Sequence, residues 1–140
     1  IITCLPILCV DLLILHDEKC LLLRRANHPA FGQLWFPGGR VHKLEKLQDA
    51  ATRLAIQETG LHCRFEKIVS VEESIFLMGD GEPSDKHTVN VCCKMQLESP
   101  PSQISLDSLH SAYEWISNLH PDMHEAVRHP LTPVSYTHLT

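Results

Sequence analysis

The hydrophobic pattern at the start of the chain is typical of buried strands. Residues 7–15 are an almost continuous run of Leu, Ile and Val, and residues 20–25 form a second strand-like run. Asp11 interrupts the first run at its centre. This carboxylate indicates one of two arrangements: an edge or bent strand with the side chain in water, or a core strand that opens into a ligand cleft.

A helical period follows over residues 46–59. Its apolar positions recur at spacings of three and four residues and form one stripe, made of Leu47, Ala50, Ala51, Leu54 and Ala55. Glu58 falls inside this stripe, in the last turn before Gly60, where the helix dipole disfavours negative charge. A carboxylate in that position needs a partner, and a bound cation is the simplest one.

The second half of the chain alternates strands with polar connections. The pattern predicts strands over residues 63–71, 74–78, 87–96 and 113–116, and a last helix over residues 121–129. Residues 79–85 and 98–105 are rich in Gly, Pro, Ser and Asp and indicate loops. Strands on both sides of a central helix favour an α+β fold, a mixed sheet layered between helices as an α/β/α sandwich.

Composition limits the class of protein. A chain of 140 residues with 44% hydrophobic and 21% charged residues suits one globular domain, which we expect over residues 1–130 with a tail over 131–140. The first residue is Ile, so we expect a truncated N-terminus. A net charge of −5 without a Lys/Arg run argues against nucleic acid, and no apolar run reaches membrane-spanning length. We expect a cytoplasmic protein that binds a small ligand.

Cysteine and histidine are frequent but show no metal-binding spacing. The six cysteines lack a CxxC pair, which favours free thiols in a reducing compartment over a disulfide framework or a zinc site. His120 and His124 are four residues apart without an HExxH motif, and Pro121 suits a helix start. We interpret this histidine pair as solvated helix residues.

Residues 38–45 form a loop that begins with two glycines, and the predicted helix over residues 46–59 follows it. Together, this glycine loop and the helix resemble the signature of Nudix hydrolases. Leu54 and Gln57 stand where the usual pattern has glutamates. In most Nudix hydrolases the glutamate cluster holds metal ions and helps to activate water for attack on a diphosphate. The positions that match the pattern are Gly39, Glu45, Arg53, Ala55, Glu58, Gly60 and Leu61.

Within this superfamily the chain is most similar to the GDP-mannose mannosyl hydrolases, over residues 11–116. That branch has Pro-Gly-Gly-Arg-Val in the loop, as residues 37–41 do, and Arg-Leu in the helix, as Arg53 and Leu54 do. Leu109 departs from the branch, which has a glutamine metal ligand there. Further matches are Arg25, Asn27 and Pro29 upstream, and His110, Tyr113 and Trp115 downstream.

The resemblance implies a reaction and a set of site residues. In that branch water attacks the anomeric carbon of the sugar, and the nucleoside diphosphate leaves intact. The implied roles are Mg²⁺ binding, with Mn²⁺ as an alternative, for Gly38 and Glu58; diphosphate stabilisation for Arg25 and Arg40; ligand contact for Asp11; and proton abstraction from water for His110. The pair Glu45 and Arg53 is expected to fix the loop to the helix, and water or Asp107 to fill the metal position lost at Leu109.

Two other functions remain open at this point. One is conventional Nudix pyrophosphate cleavage at phosphorus, which the missing glutamates disfavour. The other is a nucleotide-sugar binding module without strong catalysis, which the substitution at Leu109 favours. In every case the expected partner is a small-molecule nucleotide sugar rather than nucleic acid or membrane, and the resemblance suggests a homodimer.

Overall fold

The computed structural model describes residues 4–29, 31–117 and 129–131, and in these ranges a seven-stranded mixed sheet packs against one α-helix. This arrangement is the predicted α+β class with a mixed sheet, and it confirms that prediction. The strands are β1 (Ile7–His16), β2 (Lys19–Arg25), β3 (Leu34–Trp35), β4 (Gly38–Arg40), β5 (Cys63–Phe76), β6 (Lys86–Leu97) and β7 (His110–Ile116), and the helix is α1 (Leu47–Thr59).

Strand β1 lies in the interior of the sheet, whose order is β3-β2-β1-β6-β5. It pairs in parallel with β6 over residues 7–15 on one edge and with β4 over residues 9–11 on the other, so both edges are paired at Asp11. The alternative of an edge strand with Asp11 in water is therefore wrong. Asp11 is 3% exposed, because β1 is covered on both sides.

The two strands of the first hairpin separate soon after their turn. Their ladder holds only at the turn, where Leu15 faces Cys20 and His16 faces Lys19. Further along, β4 takes the place of β2 beside β1. The candidate active site lies beside this segment, where β1 is paired with β4 instead of β2.

The period-two alternation of β1 supplies a core on each side of the sheet. Val10, Leu12 and Ile14 face α1, whereas Leu13 faces the opposite side. The helix buries the predicted stripe together with Glu58, and it ends at Gly60, whose φ of 72° is the left-handed conformation that favours glycine. The helix prediction over residues 46–59 therefore matches α1 closely, with Lys46 as the N-cap.

Several predicted boundaries need correction. Residues 63–71 and 74–78 do not form two strands; β5 is one continuous strand whose pairing with β6 is shifted by bulges near Lys67 and Ser70. Strand β7 begins at His110 rather than Tyr113, and the short strands β3 and β4 lie within residues 34–40, where no strand was predicted. The predicted helix over residues 121–129 lies almost entirely outside the described residues, as do His120 and His124.

All six cysteines are free, and all except Cys4 are buried. Burial raises the pKa of Cys9 to about 11 and the pKa of Cys20 to about 12, so these thiols are protonated at neutral pH. Within the described ranges, no helix has the length and apolar character needed to cross a membrane.

Candidate active site

A cleft of about 400 Å³ adjoins the paired segments of β1 and β4. Residues from β1, β2, β4, β6 and the last turns of α1 line it. The cleft brings together all the predicted site residues except His110, namely Asp11, Arg25, Gly38, Arg40 and Glu58. These positions are far apart in sequence, so the fold unites them.

Glu58 is the buried carboxylate at the helix end of the cleft. It is 5% exposed, and its Oε1 accepts a hydrogen bond of 2.8 Å from the N–H of Gly38. Burial raises the pKa of Glu58 to about 7, and the nearby charges of Asp107 and Asp11 act in the same direction. The Gly38 N–H and the charge of Arg25 oppose this rise. A positive ion beside Glu58 would favour its ionised form.

Gly38 fits tightly between β1 and the helix. A Cβ at this position would come within 2.1 Å of the carbonyl oxygen of Val10, so only glycine is compatible with this ladder. Between β1 and β4, hydrogen bonds run from the Leu12 N–H to the Pro37 oxygen and from the Val41 N–H to the Leu8 oxygen. Hydrogen-bonded and non-hydrogen-bonded residue pairs alternate along an antiparallel ladder, so Gly38 and Asp11 form a non-hydrogen-bonded pair. Gly38 therefore turns both its N–H and its carbonyl away from β1, toward Glu58.

Asp11 forms the floor of the cleft. Its Oδ1 accepts a hydrogen bond of 3.3 Å from Nδ2 of Asn90, whereas its buried Oδ2 has no hydrogen-bond partner of good geometry in the described part of the chain. Burial raises the pKa of Asp11 to about 7, against the opposing effects of Asn90, Arg25 and Trp35. Asp11 and Glu58 thus share a buried environment in which ionisation is costly.

Arg25 and Arg40 are two of the four Lys and Arg residues that line the cleft, together with Arg53 and Lys86. Arg25 is half-buried, and its Nε donates to the carbonyl oxygen of Pro29 at 2.6 Å, which fixes the side chain. Arg24 points the other way, toward Gly32 and Glu114, as the alternation of a strand requires. Arg40 is exposed, and its guanidinium forms no ion pair with the described residues. Both Arg25 and Arg40 can therefore offer N–H donors to an anionic ligand.

His110 lies beside Glu58 and is not among the residues that line the cleft. Its side chain is 1% exposed, and its Nδ1 is 2.7 Å from Oδ1 of Asp107. One ligand atom from each of Glu58, Asp107 and His110 lies within 4.8 Å of the other two. The cluster therefore adjoins the cleft and shares Glu58 with it.

Leu54 and Gln57, which depart from the Nudix signature, have clear structural roles, whereas Leu109, which departs from the branch, has none. Leu54 is 3% exposed and packs so closely on Gly39 that a Cβ there would lie 2.9 Å from it. Gln57 is exposed and accepts a hydrogen bond from Arg53 at 3.2 Å. Leu109 is 38% exposed and lines the cleft, and no contact explains its presence there.

Sequence reasoning missed three polar residues of this region. The sequence indicates Asp107 only as a substitute metal ligand, whereas the structure shows that it is the direct hydrogen-bond partner of His110. Thr88 and Asn90 line the cleft, whereas the sequence pattern predicts only that they belong to a strand. Their signal was present, since two polar residues at alternating positions of an apolar strand lie on one face.

Comparison with known proteins identifies relatives over most of the chain. The family model described as NUDIX domain matches residues 6–133. The low-salt glycan biosynthesis protein Agl8 of Haloferax volcanii is 34% identical over 112 residues, which are 79% of this chain and 70% of that protein. The ADP-ribose pyrophosphatase of Methanocaldococcus jannaschii is 36% identical over 69 residues, which are 49% of this chain and 41% of that protein.

Solved structures show the same architecture. The MutT NUDIX hydrolase from Burkholderia pseudomallei superposes with a TM-score of 0.76 at 20% identity, covering 97% of this chain and 99% of that one. A UDP-X diphosphatase superposes with a TM-score of 0.70 at 15% identity, covering 96% of this chain and 63% of that one. At such identities the likeness concerns the fold alone.

Proposed function

Because the chain belongs to the Nudix family of hydrolases, we propose that it hydrolyses nucleoside diphosphate sugars, with GDP-mannose as the leading candidate. Water attacks the anomeric carbon, the bond from that carbon to the diphosphate oxygen breaks, and the nucleoside diphosphate leaves with the electron pair. The observation that carries this proposal is the cluster of Glu58, Asp107 and His110, whose ligand atoms lie within 4.8 Å of one another beside the cleft.

The choice of carbon over phosphorus rests on the carboxylates of α1. Attack at phosphorus in the usual Nudix manner draws on several helix glutamates, and here Leu54 is buried against Gly39 while Gln57 bonds to Arg53. Attack at carbon needs only a base for water and positive charge on the leaving group. One helix carboxylate with a neighbouring histidine meets that smaller requirement.

Nudix hydrolases generally use divalent metal ions, and the donor set here fits one. Glu58 and Asp107 are carboxylates close enough to repel each other, and the pKa of Glu58 is raised mainly by burial and further by that repulsion. A hard cation such as Mg²⁺ prefers oxygen ligands, which these carboxylates and the Gly38 carbonyl supply. When bound, Mg²⁺ or Mn²⁺ supplies positive charge that stabilises the departing diphosphate.

The arginines are suited to hold the diphosphate. Guanidinium groups bind phosphate oxygens through paired N–H donors. Arg25 is anchored through Nε to Pro29, which leaves its terminal nitrogens for the ligand. Arg40 stands at the mouth with no ion-pair partner among the described residues, so it is available to close on a bound diphosphate. Together they orient the leaving group.

His110 is the proposed base. Donation of its Nδ1–H to Asp107 leaves Nε2 to accept a proton, and the carboxylate stabilises the imidazolium that results. The proposed position of the attacking water is beside Glu58, the one member of the cluster with Asp107 and His110 that also lines the cleft. Asp107 is thus a positioning residue for the base.

A second candidate function is cleavage at phosphorus. The match to the ADP-ribose pyrophosphatase of Methanocaldococcus jannaschii favours it, although that match spans only 69 residues. The match to Agl8, named for glycan biosynthesis, is longer and favours a sugar-bearing substrate. Both candidates take a nucleoside diphosphate linked to a sugar, so they differ in the bond that breaks.

The position of an oxygen isotope decides between these candidates. The protein is incubated with Mg²⁺ and GDP-mannose in ¹⁸O-labelled water, and the products are analysed by mass spectrometry. We expect the label in free mannose and unlabelled GDP. Label in GMP or in mannose phosphate would replace the proposal by pyrophosphate cleavage. Binding without turnover, across a panel of nucleotide sugars, would leave a binding module.

The role of His110 has its own test. His110→Gln is expected to lower kcat by about 10²- to 10⁴-fold, the usual contribution of a general base, while substrate binding changes little. His62→Gln is the control, because His62 is an exposed histidine outside the cleft. Circular dichroism checks that both variants fold. Wild-type kcat in a folded His110→Gln variant would remove His110 from the mechanism.

A further inference from the structure

The floor of the cleft is polar across neighbouring strands, at a depth where a sheet is ordinarily apolar. Asp11 on β1 is 3% exposed and Asn90 on β6 is 5% exposed. Nδ2 of Asn90 donates to Asp11, and the hydroxyl of Thr88 donates to Oδ1 of Asn90 at 2.7 Å. All three side chains line the cleft. We name this row, Asp11, Asn90 and Thr88, the polar floor.

The polar floor keeps hydrogen-bonding capacity that the described residues do not use. The buried carboxylate of Asp11 has Asn90 and Trp35 as its side-chain hydrogen-bonding neighbours, which leaves acceptor positions unused on its two oxygens. The Asn90 amide has a second N–H, since one donor suffices for Asp11. Buried groups of this kind are costly unless something pairs with them.

The structure assigns Asn90 and Thr88, together with Asp11, to recognition of the sugar that is attached to the diphosphate. This inference rests on the proposed function for the class of substrate. A carboxylate that accepts, an amide that donates and a hydroxyl that does both are complementary to the adjacent hydroxyl groups of a hexose. Asn90 and Thr88 are then specificity-determining residues.

The location of the polar floor favours the sugar over the other parts of the substrate. Oδ1 of Asp11 would be 3.0 Å from a Cβ at Gly38, and Gly38 contacts Glu58 directly. The group that lies on the floor is therefore next to the reacting end of the diphosphate. In a nucleoside diphosphate sugar that group is the hexose.

The aromatic residues beside the floor do not form a slot for a flat base. The rings of Trp35 and Phe76 have centroids 5.9 Å apart and are tilted by 51°. They are 6% and 9% exposed, so neither offers an open face of the size that a nucleobase needs for stacking. Such rings can still pack against the C–H groups of a sugar while its hydroxyls reach the polar floor.

The inference is tested by binding rather than by turnover. Rapid mixing with Mg²⁺ present, followed by tryptophan fluorescence on the millisecond scale, gives Kd before product forms, because Trp35 lines the cleft. The probes are GDP-mannose, GDP, and GDP-mannose analogues that each lack one sugar hydroxyl. The variants are Asn90→Val and Thr88→Val. Thr52→Val is the matched control, a half-buried threonine of α1 outside the cleft.

The expected result is a loss of affinity for ligands that carry the sugar, with little change in affinity for GDP. Asn90→Val is expected to weaken GDP-mannose binding about tenfold, and Thr88→Val about threefold, which corresponds to one or two lost hydrogen bonds. GDP binding should change less than about twofold in either variant. At least one deoxy analogue should bind wild type and Asn90→Val alike, because the partner of Asn90 is then absent.

Three outcomes would overturn the inference. Equal binding of GDP-mannose by wild type and both variants would remove the polar floor from recognition. An equal loss for GDP and GDP-mannose would assign the floor to the nucleoside or the fold. Failure of wild type to bind GDP-mannose more tightly than GDP would also refute it. A different combination would refute only the proposed site of attack: ¹⁸O label at phosphorus in the isotope experiment, together with a loss of affinity in the variants that is specific to the sugar.

Discussion

Two glutamates of the same loop-helix motif have opposite environments. Glu45 accepts hydrogen bonds from Nε and Nη2 of Arg53 at 2.8 and 2.9 Å and from the N–H of His42 at 3.0 Å. These donors, Arg53 first, lower the pKa of Glu45 to about 2. Glu58 accepts one hydrogen bond, from Gly38, and burial raises its pKa to about 7.

The contrast separates a structural carboxylate from one with unused capacity. The bonds that surround Glu45 leave little room for a ligand, and Arg53 also donates to the carbonyl of Arg40, so the pair ties the glycine loop to α1. This agrees with the role expected for the pair. Glu58 is buried with acceptor positions to spare, beside Asp107 and His110. The same residue type therefore holds the loop at one end of the motif and offers a ligand site at the other.

The largest expected effect comes from neutralising Glu58. Glu58→Gln should lower turnover at least about a hundredfold, because a metal site contributes several kcal/mol to the stabilisation of a leaving group. Stability without divalent ions should be unchanged or higher, since the amide oxygen still accepts from Gly38 and no charge is buried. Steady-state kinetics and urea unfolding in EDTA measure the two effects. Near wild-type turnover would refute the metal-site assignment.

The pH dependence of stability should reveal the raised pKa values of Glu58 and Asp11. Glu58 and Asp11 have folded-state pKa values raised to about 7, so in the metal-free protein their contribution is present below their ordinary pKa and is lost as pH rises toward 7. The loss for Glu58 is on the order of 1–3 kcal/mol. Urea unfolding in EDTA from pH 4.5 to 7.5 measures it. Glu58→Gln should flatten this slope, and an unchanged slope would contradict the assignment.

Glu45→Gln should affect stability more than chemistry. The pKa of Glu45 is lowered to about 2, so its contribution is present above its ordinary pKa and is lost as pH falls toward 2. We expect a lower urea midpoint at pH 7 and a change in kcat below about threefold, since Glu45 does not line the cleft. A loss of turnover comparable to that of Glu58→Gln would show that the two glutamates do not have separate roles.

The smallest expected effect is at Leu109. Leu109→Gln should change the free energy of unfolding by less than about 0.5 kcal/mol, because the side chain is 38% exposed. It should tighten Mg²⁺ binding a few-fold by adding an oxygen donor at the cleft. Isothermal titration with Mg²⁺ measures this change, and Leu44→Gln, at an exposed loop position, is the control. Identical affinities would show that position 109 does not reach the metal.

The sequence predicted what depends on local patterning. The stripe of α1 placed Glu58 on the buried face before any contact was known, because helical spacing determines which side chains share a side. The order of the predicted strands around a central helix likewise indicated the mixed sheet. The loop-helix motif then identified the family from a few residues in register.

The parts of the fold and of the site that the sequence did not predict depend on pairing between strands that are distant in the chain. Strand β5 continues through Glu72 and Glu73, which pair with Asn90 and Val89 of β6, so the gap between the two predicted strands lies within one strand. Glycines at β4 have low strand propensity, and only the close approach to Val10 explains that strand. Nothing in the local pattern of Asn90 says that it meets Asp11, because the register of β1 with β6 brings them together.

That parallel register has a consequence for how the protein folds. Asp11 and Asn90 are 79 residues apart in the chain, and β1 cannot pair with β6 until the segment between them has been looped back. Contacts of such sequence separation form slowly, since the entropy of closing the loop is lost before the contact is gained. We expect α1 and the β1–β2 hairpin to form early. The cleft then forms late, and a ligand that contacts Asp11 and Asn90 can bind only the completed sheet.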